Sequence, residues 1–193
     1  MKAPAFFNLP RGINMDYKNK SIVLDLDGVI ADIDAGISDY LHYVCGVDVD
    51  YKDWLMTDTK DEEALKLFSN ALFWKNLKPF EDAFFQVNYW FNLGIDVHVV
   101  TARRRPAAVA ETIPWLDKWN ISTTVPHFSK FGEKVDIIKS LNPMFVVEDN
   151  PSEIEILEDA GIKCFLKNAW YNTGYWKQMD GINSLLDIDL ENM

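Results

Sequence analysis

The stretch Ser21-Ile22-Val23-Leu24-Asp25-Leu26-Asp27-Gly28-Val29 places two carboxylates directly after a four-residue apolar run and closes on a glycine. A short, continuous, β-rich run bounded by a turn residue reads as a strand buried on both faces. Asp25 then falls at the carboxyl end of that strand, with Asp27 two residues beyond. Two further runs have the same form: Ile95-Asp96-Val97-His98-Val99-Val100, ending at Thr101, and Met144-Phe145-Val146-Val147, ending at Glu148-Asp149. Gly161 to Leu166 is predicted as a fourth strand.

Helical patterns separate these runs. Ala83 to Leu93 reads as a helix stopped by Gly94. Ala107 to Trp119 reads as a second, with Pro114 expected to kink or divide it. Lys134 to Leu141 is a short helix halted before Pro143, and Ser152 to Ala160 ends at Gly161 with Pro151 near its start. Strands and helices alternating at this spacing imply an α/β fold, a doubly wound parallel sheet with helices on both faces. Residues 33–79 break the alternation. Ile37, Leu41, Val44 and Cys45 fall at helical spacing, as do Ala64, Leu67, Phe68, Ala71 and Leu72, with polar residues near 58–63 between the two patterns. The reading is a core of residues 1–32 and 80–193 and a small helical cap, 33–79, inserted after the first strand. Residues 1–20 read as an irregular lead-in.

Composition narrows the function. The chain has 193 residues and a formal net charge of −11, which argues against a nucleic-acid polymer as partner, because phosphate backbones are held by clustered Lys and Arg. Arg103-Arg104-Arg105 is the compact basic run; it reads either as a solvated loop or as a local anchor for a small phosphate ester. Cys45 and Cys164 stand far apart among apolar neighbours and read as buried free thiols. No apolar run is long enough to span a bilayer and no cleavable leader is evident. The expectation is a cytoplasmic protein with no membrane partner; a homodimer is compatible with it. Aromatics are dense between Phe68 and Phe91, as suits a planar ligand or a thick aromatic core.

Ligands of an open parallel sheet bind outside the carboxyl ends of its strands. Asp25, Asp27, Glu148 and Asp149 would converge there and repel one another without a cation, and Mg²⁺, a hard ion that takes oxygen ligands, is the natural neutraliser. A carboxylate can attack phosphorus to form an aspartyl-phosphate. A second, two residues on, can protonate the leaving oxygen and then activate water. Thr101 can donate to the phosphoryl oxygens, and Lys134 can offset their charge. Each element alone has a plainer explanation: Asp-x-Asp as a turn, Thr101 as a helix cap, Lys134 as a surface lysine. Their joint order on separate elements makes the stronger case.

These residues resemble the haloacid dehalogenase superfamily of phosphotransferases. Asp25 to Val29 is similar to its first motif, Val99-Val100-Thr101 to its second, Lys134 to its third, and Val146-Val147-Glu148-Asp149-Asn150 to its fourth. The resemblance implies Asp25 as nucleophile, Asp27 as acid/base, and Thr101 and Lys134 on the phosphate. It also implies Mg²⁺ held by Asp25, the Asp27 backbone carbonyl and Asp149, with Glu148 supporting. Lys130 and Lys139 remain alternatives for the lysine. Phe73-Trp74-Lys75-Asn76-Leu77-Lys78-Pro79 is similar to the 5'(3')-deoxyribonucleotidase branch, as is the tail Asn168 to Asn172. This implies a nucleoside monophosphate as substrate, with its base stacked on Phe73 and Trp74; Arg103, from the basic run, is a further substrate-binding candidate, although a serine is common at that place in the second motif. Set beside that expectation are a phosphatase of the same fold acting on a sugar phosphate and a non-catalytic regulatory module.

Overall fold

The computed structural model describes residues 17–46 and 60–192. The lead-in before Tyr17 and the polar junction near residue 58 lie outside them. Six strands form one sheet: β1 (Ser21–Leu24), β2 (Asp96–Thr101), β3 (His127–Phe128), β4 (Val146–Glu148), β5 (Cys164–Lys167) and β6 (Gly181–Ile182). All pairs are parallel, in the order β3-β2-β1-β4-β5-β6. β1 and β4 neighbour each other with β2 on the far side of β1, so the sheet winds outward in both directions from β1. A crevice opens at such a reversal, and Asp25 stands there.

The strand side chains alternate between two apolar cores. Ile22, Leu24, Val97, Val99 and Val147 belong to one, with α4 (Glu81–Asn92) and α5 (Pro106–Lys118); Val23, Val100, Val146 and Leu166 belong to the other, with α6 (Val135–Leu141) and α7 (Pro151–Asp159). Helices therefore cover both faces, which is why the strands read as unbroken apolar runs. α4 ends before Gly94, whose φ of 86° is the left-handed conformation of a helix stop. Pro114 lies inside α5, which runs on as one helix, so of the expected kink or division the division does not occur. α7 is capped by the Asn150 side chain, which accepts from the Ser152 amide at 3.0 Å.

Three helices, α1 (Ile33–Tyr43), α2 (Lys60–Phe68) and α3 (Ala71–Asn76), lie in sequence between β1 and α4. The predicted second helical pattern is two helices, because the Asn70 side chain caps α3 by accepting from Leu72 N at 3.0 Å. The chain enters and leaves this segment side by side: Asp32 N donates to Lys78 O and Phe80 N to Ile30 O, each at 2.9 Å. α3 is also tied to α5. The indoles of Trp115 and Trp119 both donate to Leu77 O, at 2.8 and 3.1 Å, and Lys118 Nζ donates to Lys75 O at 2.8 Å. Ile37, Leu41, Leu67, Phe73 and Trp74 share one apolar core with β1 and β2. Cys164 is buried as expected, but Cys45 is exposed, because α1 has already ended at Tyr43 and Val44 and Cys45 no longer follow its buried stripe. No helix among the described residues is long and apolar enough to cross a membrane.

Candidate active site

A cavity of about 960 Å³ opens at the carboxyl ends of β1, β2 and β4. Asp25 and Asp27 line it, together with Thr101, Lys134, Glu148 and Asp149; Trp74 and Phe68 wall it from the inserted helices. Asp25 follows β1 directly and is anchored by its own amide, which donates to Val147 O at 2.9 Å. Lys134, the residue that begins α6, is buried. Its ammonium lies 2.6 Å from Asp25 Oδ1 and 2.7 Å from Glu148 Oε2. Lys130, by contrast, is exposed and paired with Glu133, and Lys139 is exposed on α6.

Asp25, Glu148 and Asp149 each present a carboxylate oxygen within 4.8 Å of the other two. Burial, then Glu148 and Asp27, push the Asp25 carboxyl up to about 8, against the pull of Lys134. Glu148 is pushed to about 8, again first by burial, with Lys134 opposing and Asp149 adding to the rise. Asp149 rises to about 7 through burial and the nearby Asp25, with the Tyr171 hydrogen bond opposing. Burial would lower the Lys134 ammonium, but Asp25 and Glu148 together raise it, so it stays charged. Fully ionised, the three carboxylates against one ammonium would carry two negative charges, which one divalent cation would cancel, and without a cation their raised values let protons take its place. The all-oxygen donor set suits Mg²⁺. Both Glu148 oxygens already accept, Oε2 from Lys134 and Oε1 from Asn150 N at 3.4 Å. Asp25 Oδ1 likewise accepts from Lys134 and Asp149 Oδ2 from Tyr171, so each of the three carboxylates is engaged by the protein while together they could offer oxygens to a cation.

Asp27 lines the same cavity but is not one of the three clustered carboxylates. Arg103 grips it with two parallel bonds, Nη2 to Oδ1 at 2.5 Å and Nε to Oδ2 at 2.8 Å. Arg103 is itself buried: Nη1 donates to Thr112 Oγ1 at 3.2 Å, and its guanidinium carbon lies 4.6 Å from the centre of the Trp74 ring. The reading of Arg103 as part of a solvated loop is corrected here. As a substrate anchor it lines the cavity, but its fork is taken by Asp27. Arg104 and Arg105 are the exposed members of the run and also line the cavity. Thr101 is buried, with its hydroxyl accepting from Arg103 N at 3.3 Å.

The two aromatic candidates are core residues. Phe73 is buried against Tyr40, Phe68 and Trp74, and it lines a separate groove on the inserted helices instead of the main cavity. Trp74 reaches the cavity wall, but its indole donates to Phe68 O at 3.0 Å and one ring face carries Arg103. Phe68, and an exposed Phe131 at the rim, are the aromatics that sequence patterns did not single out.

Tyr171 was also not assigned a role from sequence. Its hydroxyl donates to Asp149 Oδ2, and Asn172 Nδ2 donates to Asp149 O at 2.8 Å. Both belong to the 3-10 turn Trp170–Tyr175 that follows β5. Gly28 completes the fit. With φ at 82°, a side chain there would be strained, and a Cβ would collide with the Asp149 carboxylate and crowd the Tyr171 hydroxyl.

No family model matches the sequence, and no curated protein does. Solved structures do match. A haloacid dehalogenase (HAD) hydrolase, family IA, variant 3, from Entamoeba histolytica aligns with a TM-score of 0.60 at 14% identity, over 89% of this chain and 96% of that one. The fold is that of the haloacid dehalogenase superfamily. A hydrolase from Streptococcus pneumoniae TIGR4 gives 0.53 at 17% identity, over 86% of this chain and 100% of that one. CbbY from Rhodobacter sphaeroides, in complex with phosphate, gives 0.51 at 14%, over 86% and 94%. The HAD fold expected from the four motifs is thus present, while these matches carry no pointer to the deoxyribonucleotidase branch.

Proposed function

We propose that this chain is a magnesium-dependent phosphomonoester hydrolase that works through an aspartyl-phosphate on Asp25. The observation that carries the reading is the Lys134 ammonium, buried between Asp25 and Glu148 at 2.6 and 2.7 Å, beside the third carboxylate of Asp149. A surface lysine and a chance acidic patch would not be desolvated together in this way. Lys134 holds Asp25 in one rotamer and balances part of the charge brought by a phosphate. Asp25 Oδ attacks phosphorus as the ester oxygen leaves. Asp27 supplies the proton to the leaving oxygen and then takes one from the water that hydrolyses the aspartyl-phosphate. Thr101 lies within the same wall to donate to a phosphoryl oxygen. When bound by Asp25 and Asp149, Mg²⁺ would neutralise phosphoryl charge and let two anions approach each other.

The substrate class is a small phosphate monoester. The nucleoside monophosphate reading relied on Phe73 and Trp74 as a stacking platform, and one face of Trp74 is taken while Phe73 faces elsewhere. Phe68 and Phe131 are the aromatic surfaces left for a base. A sugar phosphate is the alternative substrate, and a mutant of CbbY, a neighbour in fold, has been crystallised in complex with xylulose-(1,5)bisphosphate. A phosphate-release screen over nucleoside monophosphates, sugar phosphates and an aryl phosphate, with Mg²⁺ and with chelator, tests the reading. Magnesium-dependent release supports it, and the favoured arm names the substrate. No release from any of them returns the chain to the regulatory alternative.

A further inference from the structure

The geometry points to Arg103 as a positioning residue that presets Asp27 for the second half of the reaction, with Trp74 of the inserted helices holding Arg103 in place. This rests on the hydrolase reading above. Three observations carry it. The Arg103–Asp27 contact is bidentate, so both carboxylate oxygens are fixed in direction. The guanidinium is fixed on its other edge by Thr112, whose hydroxyl is in turn held by Ala108 O at 2.8 Å. Its flat face lies against the Trp74 ring at 4.6 Å, and that indole is pinned to Phe68 O. A residue 76 positions from Asp27 in sequence thus decides where Asp27 points, and a residue of α3 decides where Arg103 sits.

The chemistry that profits is hydrolysis of the aspartyl-phosphate. Water oxygen forms a bond to phosphorus, the bond from phosphorus to Asp25 Oδ breaks, and Asp25 departs as a carboxylate. One water proton passes to Asp27, and orthophosphate is released. Asp27 must present a lone pair to that water, and the fork of Arg103 leaves one on each oxygen while preventing the carboxylate from swinging onto the Asp25 cluster. Formation of the aspartyl-phosphate from an aryl phosphate needs no proton for the leaving group, so that substrate isolates the second step.

The test uses the full chain with Mg²⁺ and p-nitrophenyl phosphate, measuring turnover and the fraction of Asp25 trapped as phosphoenzyme by rapid acid quench and mass spectrometry. Arg103→Ala is expected to lose about 10²-fold in turnover, within the range of a lost acid/base contribution, while phosphoenzyme accumulates. Millimolar guanidinium ion should restore part of the rate and drain the phosphoenzyme. Arg103→Lys, which keeps charge but not the fork, should accumulate phosphoenzyme without rescue. Trp74→Leu should show a weaker version of the Arg103→Ala pattern. Turnover that falls with no phosphoenzyme and no guanidinium rescue, in a variant melting like the parent, overturns the inference and makes Arg103 merely structural. An Arg103→Ala variant as fast as the parent overturns it too. A parent protein that neither releases phosphate nor labels at Asp25 removes the proposed function itself and this inference with it.

Discussion

The ammonium of Lys134 lies 2.6 Å from Asp25 Oδ1, and both side chains are almost wholly withdrawn from solvent. Removing one partner of such a pair strands the other in a medium that does not solvate it. Lys134→Met should therefore cost about 3–5 kcal/mol of stability at pH 8. Near pH 5 the loss should shrink, because Asp25 and Glu148 can then take up protons. Urea unfolding at the two pH values checks this, and an equal loss at both would mean that the lysine acts through packing.

The nucleophile is tested by a substitution that changes almost nothing else. Asp25→Asn keeps the shape of the side chain but cannot attack phosphorus. Turnover should vanish while the fold is kept, because the amide oxygen can still accept from Lys134 and Glu148 remains as that lysine's charged partner. A variant retaining more than about a few per cent of the rate would contradict covalent catalysis at this residue.

The carboxylates also set a pH dependence of stability. Folding raises Asp25 and Glu148 to about 8 and Asp149 to about 7. Between the ordinary carboxylate range and those values, the folded chain holds protons that the unfolded chain has released. Stability then falls as pH rises. His98, held below its ordinary value by burial and by His127, acts in the opposite sense below the ordinary histidine range, while Asp34, raised by burial, acts with the three carboxylates. The raised Lys134 contributes evenly across this window, because its effect is lost only above the ordinary lysine range. In chelator, the melting temperature should drop from pH 5 to pH 8.5, and Mg²⁺ should oppose the drop at the upper end. A melting temperature that climbs steadily in chelator would refute this.

Gly28 is the tightest point of the site. Gly28→Ala meets a left-handed backbone, costing about 1–2 kcal/mol, and drives a methyl into the Asp149 carboxylate. Magnesium-dependent turnover should be lost, and the magnesium stabilisation of the melting temperature should go with it. Retained magnesium stabilisation would show that Asp149 is not a direct ligand.

Trp74→Ala separates a stacking platform from a core residue. Its burial and indole hydrogen bond to Phe68 O predict a loss of about 3–5 kcal/mol in stability and a comparable fall in rate for every substrate. A stable variant with a KM defect confined to nucleotides would restore the base-stacking reading.

Much of this was legible in the chain itself, for a physical reason. β1, β2 and β4 are buried on both faces, so their apolar runs are continuous, and the polar residue that ends each run marks the crevice directly. β3 and β6, with two residues each, are too short to show any period. The burial of Arg103 was not legible, because burial of an arginine depends on a partner, and here the partner is Asp27, on a different strand end. Tyr171 and Asn172 were quoted only as part of a family-like tail, since nothing local reveals that their polar atoms close on Asp149.

The paired indoles on the Leu77 carbonyl bear on how selectivity could change. They tie the end of α3, which carries the Trp74 wall, to α5. On the proposed reaction, discrimination among esters would then rest on the outline of the pocket. The rim positions Arg104, Arg105 and Phe131 can vary without disturbing that wall, which makes them the natural places for substrate preference to drift among descendants of this chain.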